Sequence, residues 1–168
     1  MQICQIAGYK NSGKTTLMNQ LIQYFSETGV RVGSLKHHGH GGEPDLGKQT
    51  DSRQHLDSGA VISGVQGETI SQFMLHQQLD LDELVQLYNS FPIDLLLIEG
   101  FKKSAYPKIV LVRNREDLAL INELPDVLAV GSRNAALLEE LNVPVFNLNR
   151  IPENIPRLAE YIRGCSNE

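Results

Sequence analysis

The chain has 168 residues and few cysteines, few basic residues and no long apolar run. Its two cysteines, Cys4 and Cys165, lie near opposite ends without C-x-x-C spacing, which argues against a disulfide framework or a structural zinc site. No segment approaches the ~18–20 apolar residues of a membrane span, and no secretory signal precedes the first strand. We therefore expect a cytoplasmic protein that does not interact with a membrane.

Basic residues are outnumbered, with 15 Lys and Arg against 20 Asp and Glu and a net charge of −5. Non-specific nucleic-acid binding needs a basic face that displaces counterions, so we expect no nucleic-acid partner. An anionic ligand must instead be bound by a local structural feature and not by the electrostatic field of the whole protein. The 41% of apolar residues is ordinary for a globular protein, and the length predicts one domain spanning residues 1–168.

Short apolar runs alternate with segments of helical period, which predicts an α/β fold with a mainly parallel sheet and helices on both faces. The run at 93–98 is apolar at nearly every position, as in a strand buried on both sides. Strands are expected at 3–7, 30–36, 60–65, 70–75, 93–98, 108–112, 127–130 and 143–148. Helices are expected at 17–28, 80–88, 134–141 and 154–163.

The segment GYKNSGKTT, from Gly8 to Thr16, matches the phosphate-loop pattern G-x-x-x-x-G-K-[ST] and lies between a predicted strand and a predicted helix. This setting predicts a P-loop NTPase fold. Glycines at both ends permit backbone torsions and close approach, so that successive N–H groups can surround a phosphate at the helix N-terminus. The residues expected to bind a nucleotide are Gly8, Asn11, Ser12, Gly13, Lys14, Thr15 and Thr16.

Three side chains are predicted to complete this nucleotide site. Lys14 supplies positive charge to the β- and γ-phosphates, and the Thr15 hydroxyl is placed to bind Mg²⁺. A carboxylate is needed near the same ion, and Glu99 follows a strand at the carboxyl edge of the sheet, where the phosphates lie. Asp94 is five residues upstream, roughly 16 Å away at ~3.3 Å per residue. Glu99 is therefore the predicted Mg²⁺ acid.

The segment from Lys36 to Gly42 is rich in histidine and glycine and follows the second predicted strand. Three interpretations remain open: a mobile loop that contacts the nucleotide or an anionic partner, a transition-metal site built on His37 and His40, or a polar surface loop. Asp45 or Asp51 could reach the Mg²⁺ shell or align a water molecule.

Several of these motifs together resemble the molybdopterin-guanine dinucleotide biosynthesis protein B (MobB) family. The resemblance rests on the phosphate loop, Lys36-His37 with His40, and three further segments, which are Asp51-Ser52 with Gly59-Ala60, Glu99-Gly100-Phe101-Lys102 and Pro107-Lys108-Ile109. It extends from the N-terminus to about Arg113.

The resemblance implies a homodimeric GTP-binding protein with weak hydrolysis that assists a molybdopterin guanylyltransferase. It also implies that Lys14, Thr15 and Glu99 hold GTP and Mg²⁺. Lys36, His37, His40 and Asp45 would lie near the γ-phosphate or molybdopterin, and Lys14, Glu99 and Asp45 are the candidate catalytic residues.

Preference for guanine does not follow from the residues themselves, because the N-K-x-D segment of many GTPases is absent and the corresponding residues 130–134 lack the acid. Neither an arginine finger nor a water-aligning glutamine is evident, which predicts slow hydrolysis. Two other functions remain open at this point. One is a P-loop small-molecule kinase, and the other is a metal-delivery GTPase suggested by the histidines.

Overall fold

The computed structural model describes residues 1–39, 42, 50–139 and 141–164. The strands of this part of the chain are β1 (Gln2–Gly8), β2 (Val32–Lys36), β3 (Ile62–Gln66), β4 (Ser71–Leu75), β5 (Leu95–Glu99), β6 (Lys108–Val112), β7 (Val127–Ser132) and β8 (Val145–Asn147). The α-helices are α1 (Lys14–Glu27), α2 (Asp51–Asp57), α3 (Leu81–Asn89), α4 (Ala119–Glu123) and α5 (Ile151–Gly164). Short 3₁₀ turns lie at Glu116–Leu118, Ala135–Leu137 and Leu148–Arg150.

Six strands form one sheet in the order β2-β5-β1-β6-β7-β8, and every neighbouring pair is parallel. The strand that leads into the phosphate loop, β1, therefore lies between β5 and β6. Since parallel strands end at the same edge, the loops after β1, β2, β5 and β6 meet there. The prediction of an α/β fold with a mainly parallel sheet is confirmed.

Helices cover both faces of this sheet, which explains why β5 is apolar from Leu95 to Ile98. Leu95 and Leu97 point toward the side covered by α1 and α5, where Leu17 and Leu158 belong to the same core. Leu96 and Ile98 point to the other side, toward α3. Alternating side chains of one strand are thus buried on opposite faces, as expected for a sheet enclosed by helices.

The helix boundaries follow from local chemistry. Helix α1 buries a stripe of apolar side chains, Leu17, Met18, Leu21 and Phe25, with Ile22 partly buried beside them. The N-terminus of α3 has a capping box: the Asp80 carboxylate accepts from the Glu83 N–H at 2.9 Å, and the Asp80 N–H donates to the Glu83 carboxylate at 2.8 Å. In the described part of the chain, no helix has both the length and the apolar character needed to cross a lipid bilayer.

Two of the predicted strands lie outside the main sheet. Strands β3 and β4 pair antiparallel as a separate two-stranded hairpin, with Ile62 opposite Leu75 and Gly64 opposite Phe73. These side chains share one face, and Ile62, Phe73 and Leu75 are all exposed. On the other face Met74 is buried, and β3 packs against α2.

The prediction of a helix at 134–141 is wrong. The side chain of Asn134 accepts from the Ala136 N–H at 3.2 Å and caps a single 3₁₀ turn, Ala135–Leu137, after which Leu138 is also buried. Residues 37–58 also contain a helix, α2, where no element was expected. Its seven residues are too few to show a clear apolar period, and it begins where Thr50 accepts from the Arg53 N–H.

The core encloses the charged side chain of a lysine. Lys108, the first residue of β6, is fully buried, and its ammonium donates to the carbonyls of Ser104, Tyr106 and Pro125 at 3.1, 2.6 and 2.7 Å. Burial lowers the pKa of Lys108, an effect that nearby Asp126 partly opposes. The ammonium fastens the segment that connects β5 to β6.

We expect Lys108→Met to lower the free energy of unfolding by about 1–3 kcal/mol, because buried carbonyls lose their donor. Urea denaturation followed by circular dichroism measures this change. As a control, Lys10→Met at an exposed position should change stability by less than about 0.5 kcal/mol. Equal stability of the two variants would contradict the structural role of Lys108.

Candidate functional site

A cavity of about 1180 Å³ lies at the carboxyl edge of the sheet, where the phosphate loop meets the ends of β2 and β5. The described residues that line it carry the cations of Lys10, Lys14, Lys36, Lys102, Lys103 and Arg133, with Glu99 as their one carboxylate. The other lining residues are Gly8, Tyr9, Asn11, Gly13, Thr15, Thr16, His37, His38, Gly39, Leu81, Gly100, Phe101 and Ser104. In an acidic protein, this cavity is a local positive region.

The phosphate loop has the close backbone packing that its glycines predict. A Cβ on Gly8 would lie 2.7 Å from both the Leu111 carbonyl oxygen and the Ser12 hydroxyl, a distance that real Cβ atoms do not tolerate. Gly13 has φ of 100°, in the region that favours glycine, and Asn11 also has a positive φ of 63°. The loop therefore turns tightly around an open centre at the beginning of α1.

Unsatisfied donors point to an anion as the occupant of this centre. In the described part of the chain, no side chain caps the N-terminus of α1, and its first turn contains no acidic residue. The hydroxyl of Ser12 is buried and finds no hydrogen-bond partner among the described residues. Free N–H groups and the positive end of a helix bind phosphate well, so these residues fit a phosphate group.

Lys14 lies at this helix N-terminus, and its ammonium donates to the Tyr9 carbonyl oxygen at 2.8 Å. Burial is the main cause that lowers the pKa of Lys14; Glu99 opposes it, while Lys102, Lys36 and Arg113 lower it further. A lysine held among other cations in this way gains stability when an anion binds beside it.

Thr15 and Glu99 come together as predicted. The Thr15 hydroxyl donates to the Glu99 carboxylate, 3.1 Å from Oε2 and 3.4 Å from Oε1, and Glu99 is only 7% exposed. A hydroxyl and a carboxylate next to a phosphate loop are oxygen ligands of the kind that Mg²⁺ prefers. These two residues therefore fit a magnesium ion. Asp94 lies at the opposite end of β5, where it forms a bidentate pair with Arg31.

The end of β2 contributes Lys36 and His37. The Lys36 ammonium lies 3.4 Å from Glu99 Oε1, and the His37 N–H donates to the Glu99 carbonyl at 2.9 Å. The His37 ring packs on Phe101 with centroids 4.5 Å apart. His38 and Gly39 also line the cavity. Of the predicted site residues in this segment, Lys36 and His37 therefore line the same cavity as the phosphate loop.

Two predicted site residues, His40 and Asp45, lie outside the described residues, as does Cys165. Asp51 is the first residue of α2 and lines a second, smaller cavity of about 330 Å³ beside the hairpin. Among the described residues, no group of three histidine, cysteine or acidic side chains is arranged to hold a metal ion.

The sequence did not reveal the support beneath the phosphate loop. Lys102 Nζ lies 3.9 Å from the centre of the Tyr9 ring, and the Arg113 guanidinium lies 5.3 Å from it. Arg113 also donates to the Lys10 carbonyl at 3.0 Å. These contacts of Lys102 and Arg113 support Tyr9 and Lys10 in the phosphate loop.

Arg113 is itself fixed by a buried carboxylate. Its Nε and Nη2 donate to Asp117 at 2.7 and 3.0 Å, and the Asp117 side chain is almost fully buried. The hydrogen bonds from Arg113 lower the pKa of Asp117, although burial opposes them. Of the arginines that follow β6 and β7, Arg133 lines the cavity, Arg113 contacts the loop backbone, and Arg115 is not among the described lining residues.

A second buried network holds the loop that follows Glu99. The Gln5 amide, inside β1, donates to the carbonyls of Gly100 and Phe101, and the Ser104 hydroxyl donates to Gln5 Oε1 at 2.8 Å. Phe101 adopts a positive φ of 48° in this loop. A glutamine within an otherwise apolar strand is the signal that could have revealed this role, because a buried amide requires partners.

The comparisons with known proteins agree with this geometry. The family profile described as Molybdopterin guanine dinucleotide synthesis protein B matches residues 3–133. The chain is 39% identical over 148 residues to the probable molybdopterin-guanine dinucleotide biosynthesis adapter protein of Bacillus subtilis, covering 86% of this chain and 84% of the relative. It is 32% identical over 160 residues to the adapter protein of Haemophilus influenzae, covering 95% and 86%.

Solved structures give the same result. The crystal structure of Bacillus subtilis MobB superimposes with a TM-score of 0.83 at 34% sequence identity, covering 100% of both chains. The similarity therefore extends over the full length of both chains.

The Arg113–Asp117 pair predicts a pH-dependent stability. Because the pKa of Asp117 is lowered in the fold, its ionised form stabilises the fold above the ordinary value of 3.8, and this stability is lost as the pH falls through the lower pKa of the folded protein. We expect Asp117→Asn to cost about 1–3 kcal/mol at pH 7.

Chemical denaturation between pH 7 and pH 3 measures this effect, and the wild type and Asp117→Asn should converge in stability toward the acid end. Arg31→Gln, which leaves Asp117 intact, serves as the control for loss of another arginine–aspartate pair. A constant difference between the wild type and Asp117→Asn at every pH would contradict the assignment.

Proposed function

The chain belongs to the MobB family, and from this premise we propose that it is a GTP-binding adapter protein that assists the attachment of a guanine nucleotide to molybdopterin. The proposal that the protein binds a nucleotide rests on the phosphate loop at the N-terminus of α1, beside Thr15 and Glu99. The relatives' description as adapter proteins of molybdopterin-guanine dinucleotide biosynthesis supports the rest.

In this proposal the phosphates lie in the centre of the loop formed by residues 8–16. Backbone N–H groups and the positive end of α1 bind the β-phosphate, and the Ser12 hydroxyl finds a partner there. Lys14 exchanges its contact with the Tyr9 carbonyl for a phosphate oxygen. Thr15 and Glu99 hold Mg²⁺, which supplies positive charge to the β- and γ-phosphates.

We propose guanine as the base because the function of the family concerns a guanine dinucleotide. The segment of residues 130–134 ends β7, beside β6 in the sheet, and Arg133 from this segment lines the cavity. It lacks the acid that recognises guanine in many GTPases, so a different group must recognise the base.

Hydrolysis by the protein alone should be slow. Efficient transfer to water requires an aligned water molecule and extra positive charge on the γ-phosphate. No glutamine lines the described part of the cavity, and Arg113 is committed to Asp117 and to the Lys10 carbonyl. A role as an adapter, in which bound GTP organises a complex, is compatible with slow turnover.

The partner we propose is the guanylyltransferase that joins GMP to molybdopterin. Lys36, His37, His40 and Asp45 belong to the segment that starts at the nucleotide, so this segment is the proposed contact with the partner or with molybdopterin itself. We further propose that residues 1–168 act as one nucleotide-binding domain in the cytoplasm.

A homodimer is the proposed assembly, and the hairpin is the proposed interface. Ile62, Phe73 and Leu75 form an exposed apolar face on β3 and β4, and Ile70 at the turn is 74% exposed. Apolar surface of this kind is stabilised by burial against a second copy of the same surface.

We expect Lys14→Ala to weaken GTP binding by roughly 10- to 150-fold, the effect of losing a charge-assisted contact with phosphate. Isothermal titration calorimetry with GTP and Mg²⁺ measures it. Arg163→Ala, which removes an exposed cation beside Phe25 and Thr28, at the end of α1 opposite the phosphate loop, is the control. Unchanged affinity in Lys14→Ala would refute the nucleotide site.

We expect Phe73→Glu to convert a dimer into a monomer, because it places a charge in the apolar face of the hairpin. Sedimentation equilibrium should give twice 18.7 kDa for the wild type and 18.7 kDa for the variant. Gln72→Glu adds the same charge to the opposite face of β4 and should remain dimeric. A wild-type mass of 18.7 kDa at micromolar concentration would contradict the proposal.

A further inference from the structure

Lys36 is placed against the candidate magnesium acid by the sheet itself. It is the last residue of β2, and the parallel register sets it directly opposite Glu99, the last residue of β5. Directly opposed residues of neighbouring strands point to the same face, so the ammonium and the carboxylate meet, with Nζ 3.4 Å from Oε1. The pair is not an accident of two mobile surface side chains, because the backbone of both strands fixes it.

The Glu99 carboxylate therefore has two partners already. Thr15 donates to it at 3.1 Å, and Lys36 forms the ion pair. The two partners differ in freedom: the Glu99 side chain is 10% exposed, whereas that of Lys36 is 60% exposed. Glu99 is fixed in position, and Lys36 can leave it by rotating a flexible stem in solvent.

Binding of a divalent cation at Thr15 and Glu99 weakens the ion pair between Lys36 and Glu99. A second positive charge of higher valence then lies beside the same carboxylate, and the two cations repel each other. The other described residues that line the cavity offer Lys36 no second carboxylate. Among the described residues and the ligand, the remaining anionic partner in the cavity for an ammonium displaced from Glu99 is therefore the ligand.

We propose that Lys36 senses the third phosphoryl group of the nucleotide: it leaves Glu99 when magnesium occupies that carboxylate, and it then pairs with the γ-phosphate. This inference rests on the proposed nucleotide site and adds a basis for distinguishing triphosphate from diphosphate. With a diphosphate, the γ-phosphate is missing, and the β-phosphate oxygens are already bound by the loop N–H groups and Lys14. The triphosphate is thus favoured by the repositioned charge.

A movement of Lys36 also affects the residue that follows it in the chain. His37 follows it directly, donates its N–H to the Glu99 carbonyl and packs its ring on Phe101. A Lys36 side chain drawn from Glu99 toward a phosphate changes the contacts at the exact start of the segment after β2. The state of the nucleotide therefore acts on the contacts of His37 with Glu99 and Phe101.

The test is the ratio of GTP to GDP affinity, measured by isothermal titration calorimetry in the presence of Mg²⁺. We expect Lys36→Met, which keeps the length of the stem and removes the charge, to weaken GTP binding by roughly 10- to 150-fold. GDP binding should change by less than about fivefold, as for an exposed ion pair. The preference for triphosphate should therefore fall.

Two further variants separate sensing from a general loss of charge. Lys36→Arg keeps a cation at the end of β2 and should retain most of the preference for GTP. Lys103→Met removes a cation from the same cavity without touching the pair at Glu99, so it should weaken both nucleotides by similar factors and leave their ratio unchanged.

Repeating the titrations in EDTA tests the coupling to magnesium. Lys36 then stays paired with Glu99, so removing Mg²⁺ should reduce the GTP preference more in the wild type than in Lys36→Met. An equal loss of GTP and GDP affinity in Lys36→Met, or no loss of either, overturns the inference while leaving the nucleotide site intact. Absence of any nucleotide binding by the wild type overturns the proposed function itself.

Discussion

The parallel register between β1, β5 and β2 is the constraint on which the candidate site depends. It sets Ile6 opposite Glu99 and Lys36 opposite Glu99, so the carboxylate lies between the strand that feeds the phosphate loop and the strand that ends in Lys36. The Thr15 hydroxyl meets this carboxylate from the beginning of α1. If either register shifted by one residue, Glu99 would point to the other face of the sheet and the site would be lost.

Buried polar groups keep the loops around this carboxylate in place. Gln5 binds the backbone after Glu99, Lys108 binds the carbonyls that lead into β6, and Asp117 orients Arg113 against the phosphate loop. Each of these groups would be costly in the core without its partners. Their presence there shows that the loops are held from below by the sheet, which leaves the cavity side open to a ligand.

The hairpin stands apart from this arrangement. Strands β3 and β4 make no hydrogen bonds to the main sheet, and α2 connects them to the end of β2 only through residues that lie partly outside the described part of the chain. Met74 is buried beneath one face, while Phe73 on the other face is exposed. The cavity of the candidate site and the apolar hairpin face thus share no described residue.

The sequence by itself determined the fold class, the phosphate-loop pattern between a strand and a helix, and the position of Glu99 at the carboxyl edge of the sheet, near Thr15. Each of these depends on residues close together in the chain or on a rule that holds for every parallel sheet. Tertiary structure alone decided that β3 and β4 leave the main sheet, that Ala135–Leu137 forms a 3₁₀ turn where a helix was expected, and that Lys36 pairs with Glu99. It also decided the partners of Gln5, Lys108 and Arg113. Strand order and buried partners join residues that are distant in sequence, and local periodicity carries no information about which distant segments meet.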